Sequence, residues 1–333
     1  MPEGPEAYQP SSETELQKRV NLAEIALPSF GDAEKGKYIK LEPKDPTDVN
    51  WQLLIKVREL IRKNFPRTGY FRDQSTQDFQ AGIRQFYRDD PNALEILERE
   101  IAKHPTSTFY EFEQLKDKEE QSHQLYYIAS IFKGERLDQN DPSSDIRRAL
   151  QGKKILVLGD DIGSLSEMLR FYSADAYGIE YDKFKVLVAH SGVLAENGNP
   201  QNQVMEGNVG DLFDSASTSL MEKLEQIGQF DMVFSDNLFN EGSGMEELLD
   251  IPRHDPTSLW DKWESGGEKG LSPADAFQKN CDTLLNENGA QLHMRIDILG
   301  AFPESFRERM IKKFPPRAML IPMQASENEI QIV

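Results

Sequence analysis

The turn Leu158-Gly159-Asp160-Asp161-Ile162-Gly163-Ser164 closes the apolar run KILVLG (154–159) and opens a helical pattern. Glycine in such a turn lets the backbone approach a ligand closely. The unpaired N–H groups of the helix that follows favour an anionic group. About 20 residues further on, at the end of a second apolar run, stand Glu180 and Asp182. A carboxylate at that point can accept hydrogen bonds from both hydroxyls of a ribose. A third run leads into Gly207-Asn208-Val209-Gly210-Asp211, where a polar side chain could read an adenine edge. A fourth, DMVFS (231–235), delivers Asp236 and Asn237 to the same level.

These residues need a scaffold that brings strand ends together. Strands are expected at 154–159, 176–181, 203–207, 231–235, 290–296, 317–323 and 329–333. Helical patterns fill the gaps at 163–173, 183–197, 217–227, 272–286 and 303–313. Alternation at this spacing implies parallel βαβ units in a doubly wound sheet, whose ligands bind beyond the carboxyl ends of the strands. Only QASEN (324–328) separates the last two strands. That is too short for a crossover helix, so they should pair antiparallel.

The strings ILVLGDDIGSLS, GIEYD, EGNVGD and FDMVFSDNLF resemble, in order, four motifs of class I S-adenosylmethionine-dependent methyltransferases. The resemblance covers about 180 residues. It implies an α/β, Rossmann-like fold: a mostly parallel seven-stranded sheet ending in an antiparallel hairpin. It further implies that Gly159 and Gly163 line the methionine part of the cofactor, with Asp160 and Asp161 beside its carboxylate. Glu180, with Asp182 nearby, would hold the ribose; Asn208 or Asp211 would flank the adenine; Asp236 and Asn237 would face the transferred group. Two departures stand out. Val157 replaces an acidic residue of the first motif, and Asp161 stands where a middle glycine is usual. The Gly-Asp-rich turn is also similar to that of polyamine aminopropyltransferases, which use decarboxylated S-adenosylmethionine. A third possibility is a degenerate, non-catalytic binding module. NAD is disfavoured because Gly-x-Gly-x-x-Gly is absent.

Between the fourth strand and the next helix lies an insert of about 33 residues. From Asp236 to Glu268 it carries nine acidic residues and two basic ones, a local net charge of −7, with Trp260 and Trp263 three apart. An acidic lid with an aromatic wall would suit an amine or another cation. The competing reading is a solvated connector whose tryptophans pack on the helical domain. A nitrogen nucleophile needs its lone pair free, so Asp236 could take its proton and Asn237 could orient it. Asp and Asn also serve routinely as turn residues at strand ends.

The chain before residue 140 is of a different character. Residues 1–12 look disordered, and helical patterns follow at 14–27, from Asp48, and at 76–88, 91–103 and 107–133. LDQNDPSS (137–144) reads as a linker. The expected organisation is thus a tail (1–12), an all-helical domain (13–140) and a methyltransferase-like domain (150–333). The helical half is assigned no chemistry.

Bulk properties narrow the partners. The 57 acidic residues against 38 basic ones give a net charge of −19, which argues against a nucleic-acid surface. No apolar stretch approaches the ~20 residues of a membrane span. The acidic N-terminus is not a secretory signal, so a cytoplasmic protein is expected. Cys281 is the sole cysteine, and the five histidines are dispersed, so no metal site is expected. The partner implied is a small molecule, and the sequence leaves the oligomeric state open.

Overall fold

The computed structural model describes residues 49–65, 76–103, 118–195, 198–213, 219–236, 238, 272–296, 318–325 and 330–332. The helical patterns at 14–27 and 303–313, most of the acidic insert, and Asn237 lie outside them.

Among the described residues five helices come first: α1 (Val49–Asn64), α2 (Thr76–Phe86), α3 (Pro91–Lys103), α4 (Lys118–Lys133) and α5 (Pro142–Leu150). Strands and helices then alternate: β1 (Lys154–Leu158), α6 (Ser164–Phe171), β2 (Asp175–Glu180), α7 (Lys183–Ser191) and β3 (Val204–Glu206). A 3-10 turn (Val209–Phe213), α8 (Ser219–Ile227), β4 (Phe230–Asp236), α9 (Pro273–Leu284) and β5 (Leu285–Ile296) follow. The described chain closes with β6 (Ala318–Ala325) and β7 (Ile330–Ile332). The sheet order is β3-β2-β1-β4-β5-β6-β7. Pairing is parallel from β3 through β6. Strand β7 runs antiparallel to β6, with Gln324 opposite Gln331. The α/β class and the parallel sheet are as the alternation implied.

Successive strand residues face opposite sides, which divides the core in two. Ile155 and Val157 of β1, with Met232 and Phe234 of β4, lie in one apolar cluster with Leu53 and Val57 of α1, Leu125 and Ile128 of α4, and Ile146 of α5. Leu156, Leu158 and Val233 point the other way, to Leu212, Leu224 and the α9 residues Phe277 and Cys281. Buried on both faces, β1 needs apolar residues at every position, which explains its unbroken ILVL run. Cys281 is part of this buried core.

Local signals account for most boundaries, and two expectations need correcting. The stretch read as a linker supplies a helix start. Asp141 caps α5 by accepting from the Ser144 N–H at 3.1 Å, and Pro142 fills a first-turn position that lacks an internal acceptor. Asp145 binds this stretch to its surroundings, accepting from Lys133, from Arg148 at 2.6 Å and from the Asp138 N–H at 2.6 Å. The helix expected over 183–197 stops at Ser191, where Gly192 adopts φ +66° and caps it. Among the described residues, no helix is long and apolar enough to cross a membrane.

Candidate functional site

In this strand order the chain leaves β1 toward β2 on one side and reaches β4 on the other. A crevice therefore opens outside the carboxyl ends of β1 and β4, the usual ligand position in doubly wound sheets. Gly159, Glu180, Asn208, Asp211 and Asp236 all stand at this edge, each at or just past the end of its strand.

The turn after β1 takes its shape from three left-handed residues: Gly159 (φ +71°), Asp161 (φ +52°) and Gly163 (φ +79°). The N–H groups of Gly159 and Asp160 both donate to the carbonyl of Ile179, at 2.9 and 3.0 Å, tying the loop to the end of β2. A Cβ at Gly163 would come within 2.6 Å of Val204 Cγ2, so glycine there is a requirement of packing as well as of φ. At Gly159 a Cβ would meet nothing within 4 Å, so the exposed backbone faces open space on the crevice side. Asp is among the few L-residues that tolerate the left-handed region. The backbone path expected of a middle glycine is thus kept at Asp161, with a side chain added.

The two aspartates of the turn diverge. Asp160 folds inward and is 5% exposed. Its Oδ1 accepts from the Ser166 N–H at 3.3 Å, while Oδ2 has no partner. That carboxyl fills the space a side chain would need at Gly178, whose Cβ would sit 2.2 Å from Oδ2. Burial pushes Asp160 up to about 7, against the opposing influence of the Ser166 hydrogen bond and Arg170. Asp161 turns outward instead and pairs with Lys185.

Glu180 lies beneath that pair, 2% exposed. Its Oε2 accepts from the Asp161 N–H at 3.1 Å and its Oε1 from the Asp182 N–H at 2.9 Å. Burial pushes this carboxyl up to about 7, although Lys185 works in the other direction. Burial should lower the Lys185 ammonium, but Asp161, Glu180 and Asp182 together hold it above the ordinary lysine value. Asp182 itself caps α7, accepting from the Phe184 N–H at 2.9 Å. Tyr181, 62% exposed, follows Glu180 directly. Past β3, Asn208 accepts from the Gly210 N–H at 2.8 Å through its side chain, and its carbonyl accepts from the Asp211 N–H at 2.9 Å.

On the other side of the crevice, Asp236 ends β4 half-buried, and its Oδ2 accepts from the Gln124 side-chain amide of α4. Behind it, fully buried His293 bridges Ser235 Oγ at 2.7 Å and Gln291 Oε1 at 3.1 Å. Burial lowers the ring to about 3, so it is neutral at physiological pH. A proton on Nε2 satisfies both contacts. This matches a core histidine rather than a catalytic one.

The structure joins Glu180 to the backbone of Asp161 and Asp182 by hydrogen bonds, folds Asp160 beneath the turn that Gly159 and Gly163 shape, and places Asn208, Asp211 and Asp236 along the same edge. Gln121, Gln124, Tyr181 and Lys185 were not singled out in the sequence. The available signal was the pair Gln121 and Gln124 leading into the largely apolar run LYYIASIF. Among the described residues, no group of three or more His, Cys, Asp or Glu could hold a metal ion.

Fold and site together define a doubly wound α/β protein with a glycine-turn crevice. No family model matches the chain, and no curated protein does. Among solved structures it is similar to an O-methyltransferase family protein from Burkholderia thailandensis. That similarity has 11% sequence identity and a TM-score of 0.30, and covers 94% of this chain and 81% of the other.

Proposed function

We propose that the chain binds S-adenosylmethionine in this crevice and transfers its methyl group to a small molecule, an amine. The observation that carries this reading is the turn after β1 joined to Glu180 at the end of β2 through the Asp161 N–H. A left-handed glycine turn and a carboxylate held at the next strand end form the pair a ribonucleoside needs.

The residues fit the group in part. The open space beside Gly159 accepts a ligand against the backbone. Tyr181, exposed and next in the chain after Glu180, carries an aromatic ring suited to stacking a base. Glu180 meets ribose hydroxyls once the Asp161–Lys185 pair swings aside. The sulfonium supplies a methyl carbon already attached to a good leaving group. What remains for the chain is alignment and proton removal. Asp236 accepts a proton from the acceptor ammonium, freeing its lone pair; the N–C bond then forms as the S–C bond breaks, and both electrons of the S–C bond stay on sulfur. Asn237, next in the chain, is assigned the role of orienting that nitrogen.

The test is transfer of labelled methyl from S-adenosylmethionine to a panel of amines. Asp236→Asn is expected to lower turnover at least ~100-fold with nucleoside affinity retained. Full turnover in Asp236→Asn removes the proton-transfer role.

A second reading, a non-catalytic binding module, draws on the Asp161–Lys185 pair that covers Glu180. The aminopropyltransferase alternative loses part of its basis. It drew on two carboxylates beside the cofactor's own, and Asp160 is folded away beneath the turn.

A further inference from the structure

Helix α4 runs antiparallel to the strands it covers. Near its start Gln124 reaches Asp236 at the carboxyl end of β4, and at its last turn the Phe132 ring lies 5.3 Å from the ammonium of Lys153, just before β1. Its first turns therefore stand over the ligand edge of the sheet. Gln121 precedes Gln124 by three residues, which places the two on one face of the helix, with Gln121 a turn nearer the helix start. Both are 5% exposed. The side-chain oxygen of Gln121 is buried and has no hydrogen-bond partner. A buried carbonyl oxygen left unpaired is destabilising, and replacing it by an apolar group of like shape is neutral or stabilising. An acceptor kept in that state at a ligand edge calls for a donor that arrives with the ligand.

We propose that the first turns of α4 form the acceptor wall of the crevice. Gln124 is a positioning residue for Asp236, and the Gln121 oxygen selects acceptors that carry a protonated amine. A carboxylate and a carbonyl oxygen on one wall offer only acceptors to the ligand at those atoms, and an ammonium offers only donors. An alcohol of the same length can donate once and leaves the other acceptor unpaired. The inference rests on the transferase reading above and names the substrate class for its β4 side.

The experiment is titration calorimetry of the full chain with putrescine and with butanediol as the uncharged match, each with and without S-adenosylhomocysteine. A separate titration with S-adenosylhomocysteine alone reports the nucleoside reading independently. The parent chain is expected to bind the diamine at least tenfold more tightly than the diol. Gln121→Met is expected to weaken the diamine at least tenfold, leave the nucleoside unchanged, and raise Tm by about 2 °C, because an unpaired buried oxygen has been removed. Gln121→Glu keeps the acceptor and is expected to retain diamine binding. Unchanged diamine affinity in Gln121→Met overturns the proposal, as does equal affinity for diamine and diol. Absence of diamine binding in all conditions overturns it too. Loss of nucleoside binding alone overturns the nucleoside reading and leaves the amine result to be judged by itself.

Discussion

Around Glu180 each charged side chain has a partner within the fold, whereas the wall above Asp236 presents a side-chain oxygen with none. Glu180 holds two backbone N–H groups, Asp182 caps a helix, and Asp161 and Lys185 neutralise each other. The β4 side depends on a glutamine that comes from 112 residues earlier in the chain. One side is thus a local construction, finished within a single βαβ unit. The other is completed by the helical layer, which on the proposed reading belongs to the site as well as to the core.

The largest expected effect tests how tightly the local side is built. Gly178→Ala would drive a methyl into the Asp160 carboxyl, and we expect it to destabilise the chain by about 3 kcal/mol, the upper end for overpacking. Thermal or urea unfolding measures this, and Asp160→Ala in the same chain should recover most of the loss. A Gly178→Ala chain as stable as the parent would mean that Asp160 does not occupy that space.

A smaller effect, taken per pH unit, comes from protonation. Asp160 and Glu180 are both raised to about 7 by burial, from ordinary values of 3.8 and 4.5. Between about pH 4 and pH 7 the folded chain keeps protons that the unfolded chain has released, so these two groups make stability fall as pH rises through that window. Each contributes a slope of at most about 1.4 kcal/mol per pH unit. Unfolding of Asp160→Asn and Glu180→Gln across the window should show flatter pH dependence than the parent. Equal slopes would place both carboxyls in contact with water.

The comparison also explains what the sequence disclosed. The turn 158–164, the carboxylate at the end of β2 and the closing strands were legible, because each is a short-range pattern: a glycine pair, a fixed spacing, a gap too short for a helix. Asp161 could be read only as a missing glycine. Its φ of +52° shows why the substitution is tolerated, and the Lys185 that answers its charge is 24 residues away. That Asp160 would fold inward against Gly178 while Asp161 turns out to Lys185 was not visible in the sequence. The Gln124–Asp236 contact spans 112 residues, and only the glutamine itself was visible locally. A glutamine on a buried helix face reads as an anomaly until the partner strand is known. The same holds for the stretch 137–144, where a composition typical of linkers turned out to be a cap.

The smallest effect concerns the cover over Glu180. Asp161→Gly removes one half of the ion pair and suits the left-handed backbone, so S-adenosylmethionine affinity should rise about fivefold, close to 1 kcal/mol. Weaker or unchanged binding would mean that the pair does not shield the ribose carboxylate.

Titration calorimetry of the folded chain with S-adenosylmethionine, beside Glu180→Ala, tests the central claim most directly. Saturable one-to-one binding that Glu180→Ala abolishes, with the variant still folded by circular dichroism, is the predicted result. No binding by the folded parent, or equal affinity in the variant, would contradict the assignment of the crevice to an adenosyl cofactor.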